Sequence, residues 1–245
     1  MSLVAKRLAK ANEKQAESKT VHVESSGITE KKEKNTFKQE LELFNAAIES
    51  DLAQLKKFST IEDKDEYKAQ AIEKNNYLDY VRRYIASGDN YPNLTFTWVV
   101  IWLVDLCRWN QALEFLPYLV RQQQHLPPVF NTKDWSTFFI DQLYDAGAKE
   151  LKAQSENAEA VQKSQIIKVF NLLIDLVESA ESEKPLINDI VLGKLYAMGA
   201  KLEYCLHNYG NALEHCLHAL KANDGAGVKK LAKDIAKKIN KDVDI

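Results

Sequence analysis

Five residues near the C-terminal end of the chain are of the types that bind zinc: Cys205, His207, His215, Cys216 and His218. Cysteine sulfur and histidine nitrogen are common protein ligands of Zn²⁺. Residues three apart share one face of a helix, so His215 and His218 lie together, whereas Cys216 points to another face and is expected in the core. Cys205 and His207 precede a turn and diverge as well. We therefore predict ordinary packing with exposed histidines, and no bound metal or other cofactor.

Two acidic clusters, each with a neighbouring lysine, have the composition of a metal-dependent nuclease site. They are Asp63, Asp65 and Glu66 with Lys68, and Glu181 and Glu183 with Lys184. Such a site requires carboxylates and a lysine that converge on one or two metal ions. Those groups usually lie on strands, and this sequence predicts none. Charged helix faces explain both clusters better, so no catalytic residue is predicted. The chain also has no glycine-rich loop followed by Lys and Ser or Thr, which excludes ATP binding by that route.

Basic residues are concentrated at the two ends of the chain, although the formal net charge is -2. They are Lys6, Arg7, Lys10 and Lys14 at the N-terminal end, and Lys229, Lys230, Lys233, Lys237 and Lys238 in the last helix. One such helix binds phosphates weakly and without sequence preference, but several copies in a ring would bind far more strongly through avidity. We predict these nine residues as a DNA-binding set. A solvated N-terminal tail and a solvated helix face are the alternatives.

Helical periodicity recurs along most of the chain, so the predicted fold class is all-α. The expected architecture is a bundle of helical hairpins with tetratricopeptide-like pairs and a flexible basic N-terminal arm. Four segments are predicted: a mobile basic arm (1–35), a helical hairpin (36–90), a helical core (91–222) and a lysine-rich C-terminal helix (223–245). The arm is expected to be mobile because it has too few large apolar residues to offset the entropy of ordering.

The helical core is expected to form around the stretch 97–116, which contains three of the four tryptophans. Its first half is apolar nearly all round and must be buried, but it is too short to span a bilayer. Residues 106–114 and 206–214 share the pattern Leu, two spacers, an aromatic, two spacers and Ala-Leu-Glu. This is typical of the turn and second helix of a tetratricopeptide hairpin, where a small Ala lets two helices approach closely. We expect two hairpins of similar build.

A stripe of apolar residues three and four apart predicts a helix over 36–58. Its members are Phe37, Leu41, Phe44, Ile48, Leu52 and Leu55. Because the spacing is close to heptad phase, the stripe packs either within the chain or against a second subunit, and we assign it as a candidate oligomerisation surface. Single further helices are predicted over 64–87, 134–153 and 157–180, with an N-cap near Asp134.

The order of these motifs resembles the terminase small subunit of peduovirus-type tailed phages, which is often labelled the terminase endonuclease subunit. The resemblance extends over residues 70–240. It is carried by the helix with Tyr77-Leu78-Asp79-Tyr80-Val81, the Trp98–Trp109 stretch with Gln111-Ala112-Leu113-Glu114, the Leu126-Pro127-Pro128 loop, and the segments 210–215 and 225–230. The segment Ala226-Gly227-Val228-Lys229-Lys230 is the most specific of these.

The resemblance implies a homo-oligomeric ring that recognises the cohesive-end site of double-stranded viral DNA. It also implies a partner, the terminase large subunit with its ATPase, and a role in packaging DNA into procapsids in the host cytoplasm. Family labels place endonuclease activity on this subunit, and no membrane partner is implied. Two alternatives remain from the residues themselves. A tetratricopeptide-like adaptor would be a monomer that binds a protein segment and no DNA, whereas a metal-dependent endonuclease would cleave DNA until a chelator is added.

Overall fold

The computed structural model describes residues 26–132, 134–153, 157–178 and 187–243. Over these ranges the chain forms eleven α-helices and no strand, which confirms the all-α prediction. None of these helices is both long enough and apolar enough to cross a membrane. The chain divides into two compact units, Met1–Arg108 and Trp109–Ile245. That division lies inside the segment predicted as the helical core.

The first unit is built around its most apolar helix. It contains α1 (Ser26–Leu55), α2 (Ile61–Lys74), α3 (Tyr77–Ser87) and α4 (Leu94–Asp105). The other three helices all pack against α4, whose residues 99–104 are buried without exception. At its start the Asn93 side chain accepts a hydrogen bond from the backbone N–H of Phe96 at 3.0 Å, and so caps a free donor. The tryptophan-rich helix is therefore central to this unit, as its composition predicted.

Two of the predicted helices are wrong, because each is a pair of shorter helices. The predicted helix 64–87 is interrupted at Asn76, whose φ of 52° is left-handed. Asparagine tolerates that conformation better than most residues, so the chain turns there without a glycine. The predicted helix 157–180 is interrupted at Ser164, which is extended. In both cases apolar residues recur on either side of the break, and periodicity alone did not reveal it.

The apolar stripe of α1 packs largely within the first unit. Phe44 and Ile48 are fully buried, and Leu55 is 9% exposed. The Phe44 ring stacks on that of Tyr80 with a centroid distance of 4.0 Å. Leu41 and Leu52 are half-buried, while the side chain of Phe37 lies outside the described residues. A subunit contact through this stripe stays a prediction, and the half-buried leucines are the members available for it.

The second unit is organised around one central helix. It contains α5 (Trp109–Arg121), α6 (Trp135–Ala153), α7 (Ala158–Lys163), α8 (Gln165–Glu178), α9 (Asp189–Cys205), α10 (Tyr209–Ala222) and α11 (Lys229–Lys238). The central helix is α9, which contacts α6, α7, α8 and α10, while α11 packs on α10. Asp134 caps α6 as predicted, because its carboxylate accepts a hydrogen bond from the backbone N–H of Thr137 at 2.9 Å.

The repeated pattern at 106–114 and 206–214 corresponds to the same local structure in both copies. Cys107 and His207 are left-handed, with φ of 55° and 62°. The backbone N–H of the next residue donates to the carbonyl five residues earlier, at 2.8 Å in the first copy and 2.9 Å in the second. This is a Schellman helix end, and the aromatic residue, Trp109 or Tyr209, then begins the next helix. The pattern thus specifies a helix end followed at once by a helix start.

Candidate nucleic-acid interface

The C-terminal helix α11 has one apolar side and one basic side. Ala232, Ile235 and Ala236 are buried against the second unit, as is Val228 just before the helix. At 100° per residue these positions fall on a single face. The five lysines between Lys229 and Lys238 are all exposed. The packing of the apolar side therefore fixes the direction in which the lysines point.

The turn before α11 is also specified by its residues. The Asn223 side chain accepts a hydrogen bond from the backbone N–H of Gly225 at 3.0 Å, which is the geometry of an Asx turn. Gly227 has a φ of 76°, which favours glycine. Lys229 forms an ion pair with Asp224 at 2.7 Å. The carboxylate partly compensates the charge of Lys229, so this lysine contributes to the turn.

Three of the predicted lysines form a free basic face. Lys230, Lys233 and Lys237 are exposed, and their spacings of three and four place them on one side of α11. None of the three forms an ion pair with any residue in the described ranges. We call these three residues the lysine face. It carries three lysines without an ion pair to a described residue, and the exposed carboxylate of Asp234 lies beside them on α11.

The fifth lysine, Lys238, has a different environment. Its Nζ lies 4.3 Å from the ring centroid of Tyr209 and 5.2 Å from that of Tyr204. The interaction with Tyr209 raises the pKa of Lys238, so this lysine stays charged at neutral pH. Sequence reasoning missed both tyrosines. Tyr209 is the aromatic of the repeated pattern, and the pattern itself does not relate it to Lys238. The N-terminal members of the predicted set, Lys6, Arg7, Lys10 and Lys14, lie outside the described residues.

The five residues of zinc-ligand type do not form a metal site within the part of the chain that the structure describes. Cys216 is fully buried, and burial raises the pKa of its thiol to about 11, so the thiol keeps its proton. Burial lowers the pKa of His215, whose ring packs edge-on against Phe170 at 5.3 Å. His218 is exposed. Within the described ranges, no three His, Cys, Asp or Glu side chains are placed to hold one metal ion.

The first acidic cluster takes part in an ion-pair network of the first unit. Lys68 Nζ lies 2.8 Å from an oxygen of Asp65 and 2.9 Å from one of Asp105. Burial alone would lower the pKa of Lys68, but its hydrogen bonds to both carboxylates outweigh burial and raise the pKa. Lys68 therefore connects α2 to the end of α4. The second cluster, Glu181, Glu183 and Lys184, lies outside the described residues.

Comparison with known proteins identifies the family. Residues 45–178 match the family model described as the phage small terminase subunit, and this match covers more than half of the chain. The chain belongs to the phage small terminase subunit family. It is also similar to the "Probable terminase, endonuclease subunit" of Haemophilus phage HP1 (strain HP1c1), with 25% identity over 121 residues. That alignment covers 49% of this chain and 42% of the HP1 protein. No solved structure matches the chain.

The family match and the lysine face are separate observations. The match to the small terminase subunit family ends at Glu178, so α9, α10 and α11 lie beyond it. The family assignment therefore rests on the first unit and the first helices of the second. The lysine face rests on the charge and exposure of α11 alone.

Proposed function

We propose that this chain is the recognition subunit of a phage terminase. It binds double-stranded DNA through the lysine face of α11 and presents it to the large ATPase subunit for packaging into procapsids inside the host cell. The observation that carries this proposal is a row of three exposed lysines without an ion pair to any described residue in a member of the small terminase subunit family.

The dimensions of the lysine face fit a short stretch of duplex. From Lys230 to Lys237 the helix rises about 10 Å, at about 1.5 Å per residue. One strand of B-DNA carries a phosphate about every 3.4 Å along the axis, so that length corresponds to about three phosphates. Three such contacts in one protomer bind weakly. Several protomers bound to the same DNA would bind much more strongly, because each further contact is intramolecular.

The test replaces the three lysines by glutamine in K230Q/K233Q/K237Q. A charge-matched control, K56Q/K57Q/K74Q, removes three exposed lysines from the first unit. Fluorescence anisotropy with a labelled blunt duplex measures affinity at several salt concentrations. We expect the first variant to bind at least about tenfold more weakly at low salt and to lose salt dependence, since each phosphate contact contributes about −0.9 to the slope of log K against log[salt]. Equal affinity of wild type and the lysine-face variant would refute the proposal.

Oligomerisation is the second part of the proposal. We assign it to the half-buried leucines of α1, Leu41 and Leu52, because the other described members of the stripe are enclosed within the first unit. Light scattering of the wild type should give a mass of several protomers, and Leu41→Glu/Leu52→Glu should give a single protomer with unchanged helix content. A monomeric wild type would favour the adaptor alternative.

A second candidate function is cleavage of DNA by this chain. It is favoured by the name of the HP1 relative, "Probable terminase, endonuclease subunit". Incubation of a duplex that contains the cohesive-end site with protein and Mg²⁺ tests it directly. Cleavage that stops on addition of a chelator supports the nuclease. If the DNA is not cleaved, we infer that another subunit cuts it.

A further inference from the structure

A cleft of about 420 Å³ lies where the ends of four helices of the second unit meet. Its polar lining consists of three lysines, two tyrosines and a histidine: Lys152, Lys201, Lys238, Tyr204, Tyr209 and His207. The lysines lie near the C-terminal ends of α6, α9 and α11, and Tyr209 begins α10. We call this site the tyrosine–lysine cleft. Its volume is within the usual range of small-ligand sites.

Two lysines of the tyrosine–lysine cleft, Lys201 and Lys238, contact neutral tyrosine side chains. Lys201 Nζ donates to the hydroxyl of Tyr144 at 2.8 Å and lies 4.7 Å from the centroid of that ring. Lys238 lies over the rings of Tyr204 and Tyr209. Among the described residues, no carboxylate lines the cleft, and none of the three lysines forms an ion pair. Positive charge without a carboxylate favours an anionic ligand.

The aromatic rings of the cleft favour a ligand with a flat aromatic part. Tyr204 and Tyr209 are both partly exposed, and their centroids are 5.6 Å apart at an interplanar angle of 60°. Aromatic side chains beside a basic groove are the usual means of binding single-stranded nucleic acid, because every base can stack on a ring. An anion with a flat aromatic part, as in a nucleotide, would use both the lysines and the rings.

We propose that the tyrosine–lysine cleft binds an unpaired nucleotide at the end of a DNA strand. The base stacks on the ring of Tyr209, and Lys238 moves from that ring to the adjacent phosphate, with Lys201 as a second cation. The cleft includes Lys238, the residue after Lys237 of the lysine face. Lys237 and Lys238 point about 100° apart around α11, so the cleft lies beside the lysine face and not on it. This inference rests on the proposed DNA binding and specifies the substrate as a duplex with a single-stranded end.

The test compares three labelled DNAs of equal phosphate count: a blunt duplex, a duplex with a short unpaired end, and the same duplex with abasic sugars in that end. We expect wild-type protein to bind the unpaired end at least about fivefold more tightly than the blunt duplex, and the abasic end like the blunt duplex. Stacking explains this difference, because the abasic end keeps its phosphates and loses only its bases.

Two variants test the residues of the cleft. Tyr209→Leu should abolish the preference for the unpaired end, and Lys201→Gln should reduce it, with helix content unchanged in both. Tyr118→Leu is the matched control, because the Tyr118 ring also contacts a cation, Arg121 at 4.9 Å, but does not line the cleft. This control should keep the full preference. If Lys201→Gln keeps it as well, the lysine has no role in binding the end.

The two proposals fail in different ways. Absence of binding to all three DNAs refutes the proposed function. Tight binding of the blunt duplex with no gain from the unpaired end refutes only the assignment of the cleft. Competition for the unpaired end by a free mononucleotide, stronger than competition by a single-stranded oligonucleotide, would show that the ligand is a free nucleotide and overturn the assignment to DNA.

Discussion

The sharpest prediction concerns Gly199, where the central helix of the second unit meets the ring of Phe170. A Cβ built at Gly199 would lie 2.2 Å from Cζ and 2.6 Å from Cε2 of that ring. Ordinary contacts are 3.4–4 Å, so the ring or the helix must move by more than about 1 Å to accept a methyl group. Phe170 is 1% exposed, so the ring that must give way is enclosed in the core. The substitution Gly199→Ala therefore overpacks the core.

The expected cost follows from two opposing terms. Overpacking a well-packed core costs about 1–3 kcal/mol, and occasionally more. Alanine is about 1 kcal/mol more favourable than glycine inside a helix. Because the contact is so short, the first term should be at the upper end of its range. The free energy of unfolding should fall by about 2 kcal/mol, which corresponds to a decrease of about 6 °C in Tm for a unit of this size.

Thermal and urea unfolding followed by circular dichroism measure this loss. The matched control is Gly210→Ala in α10, where nothing lies within 4 Å of the new Cβ. This control should be neutral or gain up to about 1 kcal/mol, through helix propensity alone. If Gly199→Ala were as stable as Gly210→Ala, the close packing of α8 on α9 would be wrong.

Two other predictions concern stability. Asp51 accepts hydrogen bonds from the hydroxyls of Tyr67 at 2.8 Å and Tyr77 at 2.6 Å, and from the Asn75 side chain at 2.9 Å. Asp51→Ala should lower the free energy of unfolding of the first unit by about 3 kcal/mol, because three part-buried donors lose a charged partner. A loss below about 1 kcal/mol in urea titrations would contradict this. Burial lowers the pKa of His215 below its unfolded value. As the pH falls through about 6.5, the unfolded chain therefore gains a proton that the folded chain does not. This difference lowers the free energy of unfolding by at most about 1.4 kcal/mol per pH unit. His215→Phe should remove this contribution, and urea titrations at about pH 5, 6 and 7 should show a flatter pH dependence than the wild type.

The fold class was predictable from the sequence because each helix carries its own signal. The apolar residues of α4 require burial on most sides, and Asp134 has the side chain that caps a helix. The interruptions at Asn76 and Ser164 were not predictable from periodicity, because neither contains Gly or Pro and the apolar stripe continues after each. A left-handed asparagine changes the direction of the chain without changing its composition.

The candidate interface was predictable only in part, for a related reason. The spacing of Lys230, Lys233 and Lys237 placed them on one helix face, and that is a local property of the sequence. The contact of Lys238 with Tyr209 joins residues 29 positions apart, and no periodicity relates them. A charge pattern therefore identified the basic helix but could not separate the free lysines from those held by a carboxylate or a ring.

The most direct test of the proposed function is the salt dependence of duplex binding by the wild-type chain. Anisotropy of a labelled blunt duplex should be measured from about 50 to 300 mM salt. We predict that log K falls linearly with log[salt]. The slope should be about −2.7 or steeper for each bound protomer, as expected for three phosphate contacts. A slope near zero, or no binding at the lowest salt, would contradict a lysine face that binds DNA.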